Sequence, residues 1–303
     1  MCESNKHLPC EDKINQIDKH QLLHWLGSLA VQRLEKKAND IEVSLHRNNM
    51  DWEETFYQHL AKNFGFKINA VPFEMLAKSI PLKYLLKQQN NLFRIEAMLL
   101  GQSGLLEKAG SFADDYVEKL KKEYSFMQIK YRLQPLDAHL WKFMRIRPMN
   151  FPTVRIAQFS SLINSYAALF ASITDAASIK QLKKLFAFPV SDYWLSHYHF
   201  TKTTRKTTKN TGNEAIENIL INTVAPFLFV YGKKKQKDEC CERALELLES
   251  LKAETNAVIV GWKKLGIDAS SAFYSQALLQ LKNEFCMKKN CLNCHIMLKI
   301  INL

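Results

Sequence analysis

Glycine and proline are scarce in this chain of 303 residues, at 9 and 8. So little of either leaves few tight turns and favours long helices. Apolar runs are short as well. None reaches the roughly 18–20 residues that a membrane span needs. The longest candidate, 216–231, is interrupted by Glu217, Asn218, Asn222 and Pro226, so no membrane partner is expected. The first ten residues lack the apolar segment of a secretory signal. Common enzyme motifs are missing too: no P-loop, no G-x-G-x-x-G, no H-E-x-x-H, no G-x-S-x-G and no compact carboxylate pair. The residues assign no reaction, and whether the chain is an enzyme stays open.

Acidic residues are outnumbered, 30 against 42 basic, leaving a net charge of +12 and a pI near 9.3. Clustered, that charge attracts polyanions such as nucleic acid; spread out, it is a solvated basic surface. A chain of this length, 47% hydrophobic, can bury one large domain or two lobes. Seven cysteines, three of them crowded near one end, do not make a disulfide framework. A reducing compartment, and hence a cytoplasmic location, is expected.

Helical periodicity dominates. From Asp18 it carries Leu22, Trp25, Leu26, Leu29, Leu34, Ala38 and Ile41. Asp51 with Glu54 forms a capping-box pattern for a helix that Gly65 ends. The stretch 92–100 is apolar nearly all round and should be buried. Asp114 opens a helix stopped by Pro135, and Asp137 opens another, stopped by Pro148. Phe151-Pro152 starts a long helix with Ile156, Phe159, Ile163, Ala167 and Phe170 on one stripe. Pro226 cannot donate to the Asn222 carbonyl, so the helix capped by Asn213 should kink before Gly232 ends it. Arg145, Arg147 and Arg155 flank the start at Phe151, where an anion could bind, although surface ion pairs are the more ordinary explanation.

No strand series is present. The fold expected is all-α, an irregular multi-helix array with at most one short strand pair near 190–200. Residues 1–16 read as a leader or junction and 17–303 as the helical domain, with any boundary between lobes near 111–136.

Two constellations carry chemistry. Cys286, Cys291 and Cys294 are spaced C-x4-C-x2-C with Lys288 and Lys289 between them, a spacing that suits zinc or an iron–sulfur cluster. The lysines should help to hold the thiols deprotonated. A fourth ligand would be His295 or one of Cys10, Cys240 and Cys241; otherwise these are free thiols at a helix end. The spacing also resembles the cluster loop of helix-hairpin-helix DNA glycosylases, which has a wider first gap and a fourth cysteine. The second constellation interleaves aromatic and basic residues: Tyr193 and Trp194, then Lys202, Arg205, Lys206 and Lys209 in the tract TKTTRKTTKNTG, then Lys233 and Lys234. Aromatics stack on bases, and lysine and arginine neutralise phosphates. The tract has no apolar anchor and should be an exposed, poorly ordered loop. His197 and His199 alternate with only Asp192 close in sequence.

The segments 151–159, 191–194, 218–229 and 275–284 are similar to an uncharacterised bacterial family, a domain of unknown function (DUF2851-like), from about Trp25 to Cys294. Members of that family look longer. Their N-terminal region resembles restriction-type nuclease cores, and the resemblance implies that this chain is the helical C-terminal part of a two-part protein whose partner is that region. The reading is a nucleic-acid-binding helical module, accessory to a DNA-processing protein. The alternative is a helical scaffold that binds protein and no nucleic acid.

Overall fold

The computed structural model describes residues 10–11, 14–112, 114–200 and 202–301, so most of the junction segment 1–16 lies outside the described residues. The described chain is helical, with no strand; its only β pairing is one isolated bridge, His197 with Thr203. The strand pair expected near 190–200 is replaced by a helical turn, Asp192–Leu195, and the bridge beyond it.

Two compact units form: Met1–Glu42 with Ala225–Leu303, and Val43–Val224. The stretch 111–136 lies inside the second unit, where helix Asp115–Tyr131 packs on helix Leu92–Gln102. Their contact is close: a Cβ at Gly101 would sit 2.1 Å from the Tyr124 ring, so only glycine fits.

In the second unit Asp51 caps helix Trp52–Phe64, its carboxylate accepting from the Glu54 amide at 3.0 Å. The capping box closes on one side only, because the Glu54 carboxylate accepts from the Leu82 amide instead, at 2.8 Å. Asp114 caps Asp115–Tyr131 as expected. That helix ends at Arg132, which takes the left-handed conformation, before Pro135 is reached. Asp137 caps only a short 3-10 turn, Ala138–Leu140. Pro152 begins helix Pro152–Ser165, buried over most of its length. It breaks there, and Leu169–Asp175 departs at 72°.

In the first unit helix Ala225–Lys235 packs on Asp238–Ser250. Gly232 lies mid-contact, not at a helix end: a Cβ there would meet the Cys241 sulfur at 2.6 Å. Gln236, left-handed at φ 53°, ends that helix instead. Helices Ala257–Lys264 and Ala272–Gln280 enclose an apolar cluster with Leu26, Leu29, Trp262 and Cys294.

The kink expected from Pro226 takes the form of a π-helical turn, Leu220–Val224, so the helical run Asn213–Lys235 is continuous over 23 residues. The missing proline donor frees a carbonyl, and the wider turn absorbs it. That run is the one described helix long and apolar enough to cross a membrane, and 78% of its most apolar window is buried, as in the core helix of a globular protein.

Candidate functional site

The basic tract folds as a fastened loop. Within it Lys202, Arg205 and Lys206 are exposed, and none forms an ion pair among the described residues. The expectation of poor order is not met by the bonding. The Thr204 amide donates to the Ser196 carbonyl at 2.7 Å, and the Thr207 amide to the Leu195 carbonyl at 2.9 Å.

Lys209 supplies the anchor that the tract lacked in sequence. Its side chain is fully buried; Nζ donates to the Leu195 carbonyl at 2.7 Å and lies 4.2 Å from the centre of the Tyr198 ring. Burial holds its ammonium below the usual lysine range. Lys209 is therefore corrected from phosphate contact to structural anchor. Trp194 is corrected likewise: it is 0% exposed, against Phe200 and Tyr193, and no base can stack on it. Tyr193 is half-buried, its ring stacked on both Tyr116 at 4.0 Å and His197 at 3.9 Å, so both of its faces are covered.

Arg155 sits beneath this loop. It is 7% exposed, donates to Gln158 at 2.9 Å and to Asn150, and lies 4.4 Å from the Phe66 ring centre. Burial alone brings its guanidinium down to about 10, with no carboxylate opposing that, and its Nε has no partner. Gln158 joins the two buried cations, donating from Nε2 to the Lys209 carbonyl at 2.7 Å. Arg145 and Arg147 are exposed.

Lys233 and Lys234 belong to the other unit, and two acids of helix Lys19–Arg47 face them: Glu35 at 3.2 Å and Glu42 at 3.4 Å. Their charge is thus partly neutralised within their own unit.

The sequence reading missed a polar network around Glu96. This residue, 1% exposed, stands in the apolar stretch 92–100 and accepts from the hydroxyls of Tyr116 and Ser191, the latter at 2.9 Å. Burial pushes its carboxyl up to about 7 although these hydrogen bonds pull it down. Burial raises the Tyr116 phenol, and the same carboxyl adds to it. Beyond Tyr193, His197 puts Nδ1 2.8 Å from the Tyr193 carbonyl and Nε2 4.0 Å from Asp114, so its nearest acid is Asp114 and not Asp192. A lone carboxylate inside the apolar run 95–100 was the signal that could have flagged Glu96.

Of the cysteines, Cys294 is buried and Cys286 and Cys291 are partly so. Lysines were expected to hold these thiols deprotonated, but burial wins: the Cys286 thiol is pushed up to about 12. Lys288 is engaged with Glu284 at 2.5 Å, and Lys282 is the lysine whose charge reaches Cys286. Among the described residues no three His, Cys, Asp or Glu side chains are gathered as a single-ion metal site.

Comparison with curated proteins and with solved structures gave no match. A family described as "Protein of unknown function (DUF2851)" matches residues 1–257, which leaves the cysteines at 286, 291 and 294 outside the matched range. Because that match covers most of the 303 residues, the chain belongs to this family.

Proposed function

We propose that this chain binds nucleic acid through phosphate contacts made by the loop 202–208, as an accessory module of a nucleic-acid-processing protein. One observation carries the reading. Five cations in one region lack a bonded carboxylate among the described residues: Lys202, Arg205 and Lys206 outside, and Arg155 and Lys209, linked through Gln158, beneath. Buried cations without counter-charge are costly, and a phosphate nearby offsets that cost. The fastened backbone presents the exposed three with little left to order on binding, which favours affinity.

Binding of short labelled DNA and RNA, measured at two salt concentrations, tests this. Affinity should fall as salt rises, and the triple variant Lys202→Ala, Arg205→Ala, Lys206→Ala should bind more weakly, with a salt slope shallower by up to about 3. An affinity indifferent to salt sinks the reading. The protein-binding alternative has its own support: Phe126 and Ile129, one turn apart on helix Asp115–Tyr131, are 59% and 80% exposed. It gains if nucleic acid fails to bind and Phe126→Ser abolishes capture of a protein partner.

A further inference from the structure

We infer that Cys10, Cys286, Cys291 and Cys294 form one four-thiolate site for a thiophilic metal centre, a zinc ion or an iron–sulfur cluster. Sequence spacing named three of these and left the fourth ligand open. The fold selects Cys10 from the candidates. Cys10 and Cys286 both pack against the apolar cluster that contains Cys294. Just after Cys10, the 3-10 turn Ile14–Gln16 lies against helix His295–Ile301, which Cys294 immediately precedes. The other candidates are engaged elsewhere. The His295 ring is stacked on Trp25 at 4.3 Å, and Cys241 donates to the Phe229 carbonyl at 3.5 Å. Cys240, its neighbour, is buried in helix Asp238–Ser250.

The local backbone suits thiolate ligation. Cys291 opens a 3-10 turn, Cys291–Asn293, and the Cys294 amide donates to the Cys291 carbonyl at 3.1 Å. This is the tight C-x2-C turn that lets two sulfurs approach one centre. The Lys289 amide donates to the Cys286 carbonyl at 3.2 Å, turning the chain back after the π-helical turn Leu281–Cys286.

Electrostatics ties the four together pairwise. Besides burial, the Cys286 thiol is raised by Cys10, Cys294 and Cys291; Cys10 is raised by Cys294 and Cys291; and Cys294 by Cys291. The Cys286 thiol therefore lies in the field of the other three. Thiolate ligands gathered at one centre repel one another, and a bound cation removes that repulsion as the protons leave. The sulfurs are not drawn onto a single ion, so binding must pull them inward. Cys286 ends the π-helical turn and Cys291 and Cys294 bracket a 3-10 turn, so these three do not sit in the middle of an α-helix.

The test is metal and sulfide analysis of the full chain purified without chelator. Stoichiometric zinc, or iron with acid-labile sulfide and a brown charge-transfer absorbance, is expected; the first assigns a zinc ion and the second a cluster. Cys10→Ser should lose the metal, and Cys240→Ser should keep it. A metal-free wild-type chain, or full metal content in Cys10→Ser, overturns the inference. Should Cys10→Ser not fold, alkylation mapping of the wild-type chain decides instead. Cys10, Cys286, Cys291 and Cys294 should be protected together until a chelator strips the metal, and Cys10 alkylated while metal remains bound would remove it from the site.

Discussion

Each of the two units holds a titratable group that lost solvation brings to about 7, and the two are opposite in charge. In Val43–Val224 it is Glu96, met only by neutral hydroxyls and pushed up to about 7 by burial. In the other unit it is Lys37, brought down to about 7 by burial first and by neighbouring Arg33 second, with Glu254 opposing. Lys37 donates to Gln276 Oε1 at 2.7 Å, as Arg33 does, while the Gln276 amide reaches Glu254. The two sites share a lesson: hydrogen bonds to neutral groups do not offset lost solvation, so each group drifts towards its uncharged form. They differ in how pH acts on them.

The largest effect expected concerns Glu96. Its folded-state pKa lies above its ordinary 4.5, so its contribution to stability is fully present below that value and is lost as pH rises through about 7. At about 1.4 kcal/mol per pKa unit the span is on the order of 3 kcal/mol. Glu96→Gln keeps an acceptor for the hydroxyls and cannot ionise. Denaturant titrations across this range should therefore show the wild type losing stability relative to the variant. Parallel pH profiles would mean that Glu96 is charged in the fold.

Lys209 comes next and sharpens the contrast inside the basic loop. Lys209→Ala removes the bond to the Leu195 carbonyl and the contact with the Tyr198 ring. Roughly 2 kcal/mol of stability should go, a typical loss when a buried bonded group is removed. If the melting temperature is unchanged, Lys209 is no anchor.

Lys37 should behave as the mirror of Glu96. A lysine whose folded-state pKa is lowered is disfavoured while charged, so stability rises as pH climbs from about 7 towards 10.5. Lys37→Met should flatten that rise. Because Lys37 is half-buried and tied to Gln276, about 1 kcal/mol is expected. A variant that retains the rise assigns it to another group.

Smallest in stability, and largest in binding, is the loop triple variant of Lys202, Arg205 and Lys206. These side chains are exposed and unpaired, so their removal should change stability by less than about 0.5 kcal/mol. A marked destabilisation with nucleic-acid binding intact would give the loop a structural role and put the partner's site elsewhere.

Much of the fold was legible because its signals are local. Asp51 and Asp114 cap their helices as their side-chain chemistry dictates, and Pro152 starts one. The termini misread were those that neighbours decide. Gly232 looked like a helix end and is a contact point for Cys241, while Gln236 ends the helix. Of the residues named for nucleic acid, Lys202, Arg205 and Lys206 are exposed, Tyr193 is covered on both faces, and Trp194 and Lys209 are inside. Composition alone cannot distinguish these fates, because one lysine in a polar tract looks like the next.

The sequence by itself determined the helical class, the principal caps and the spacing of three cysteines, because these depend on residues a few positions apart. Tertiary structure alone decided that Lys209 turns inward over Tyr198 and that Glu96 meets Tyr116 and Ser191. It alone packed Cys10 against the apolar cluster that holds Cys294. Such pairings depend on which helix faces are brought together and on the solvent they exclude, and no local pattern of residues encodes either.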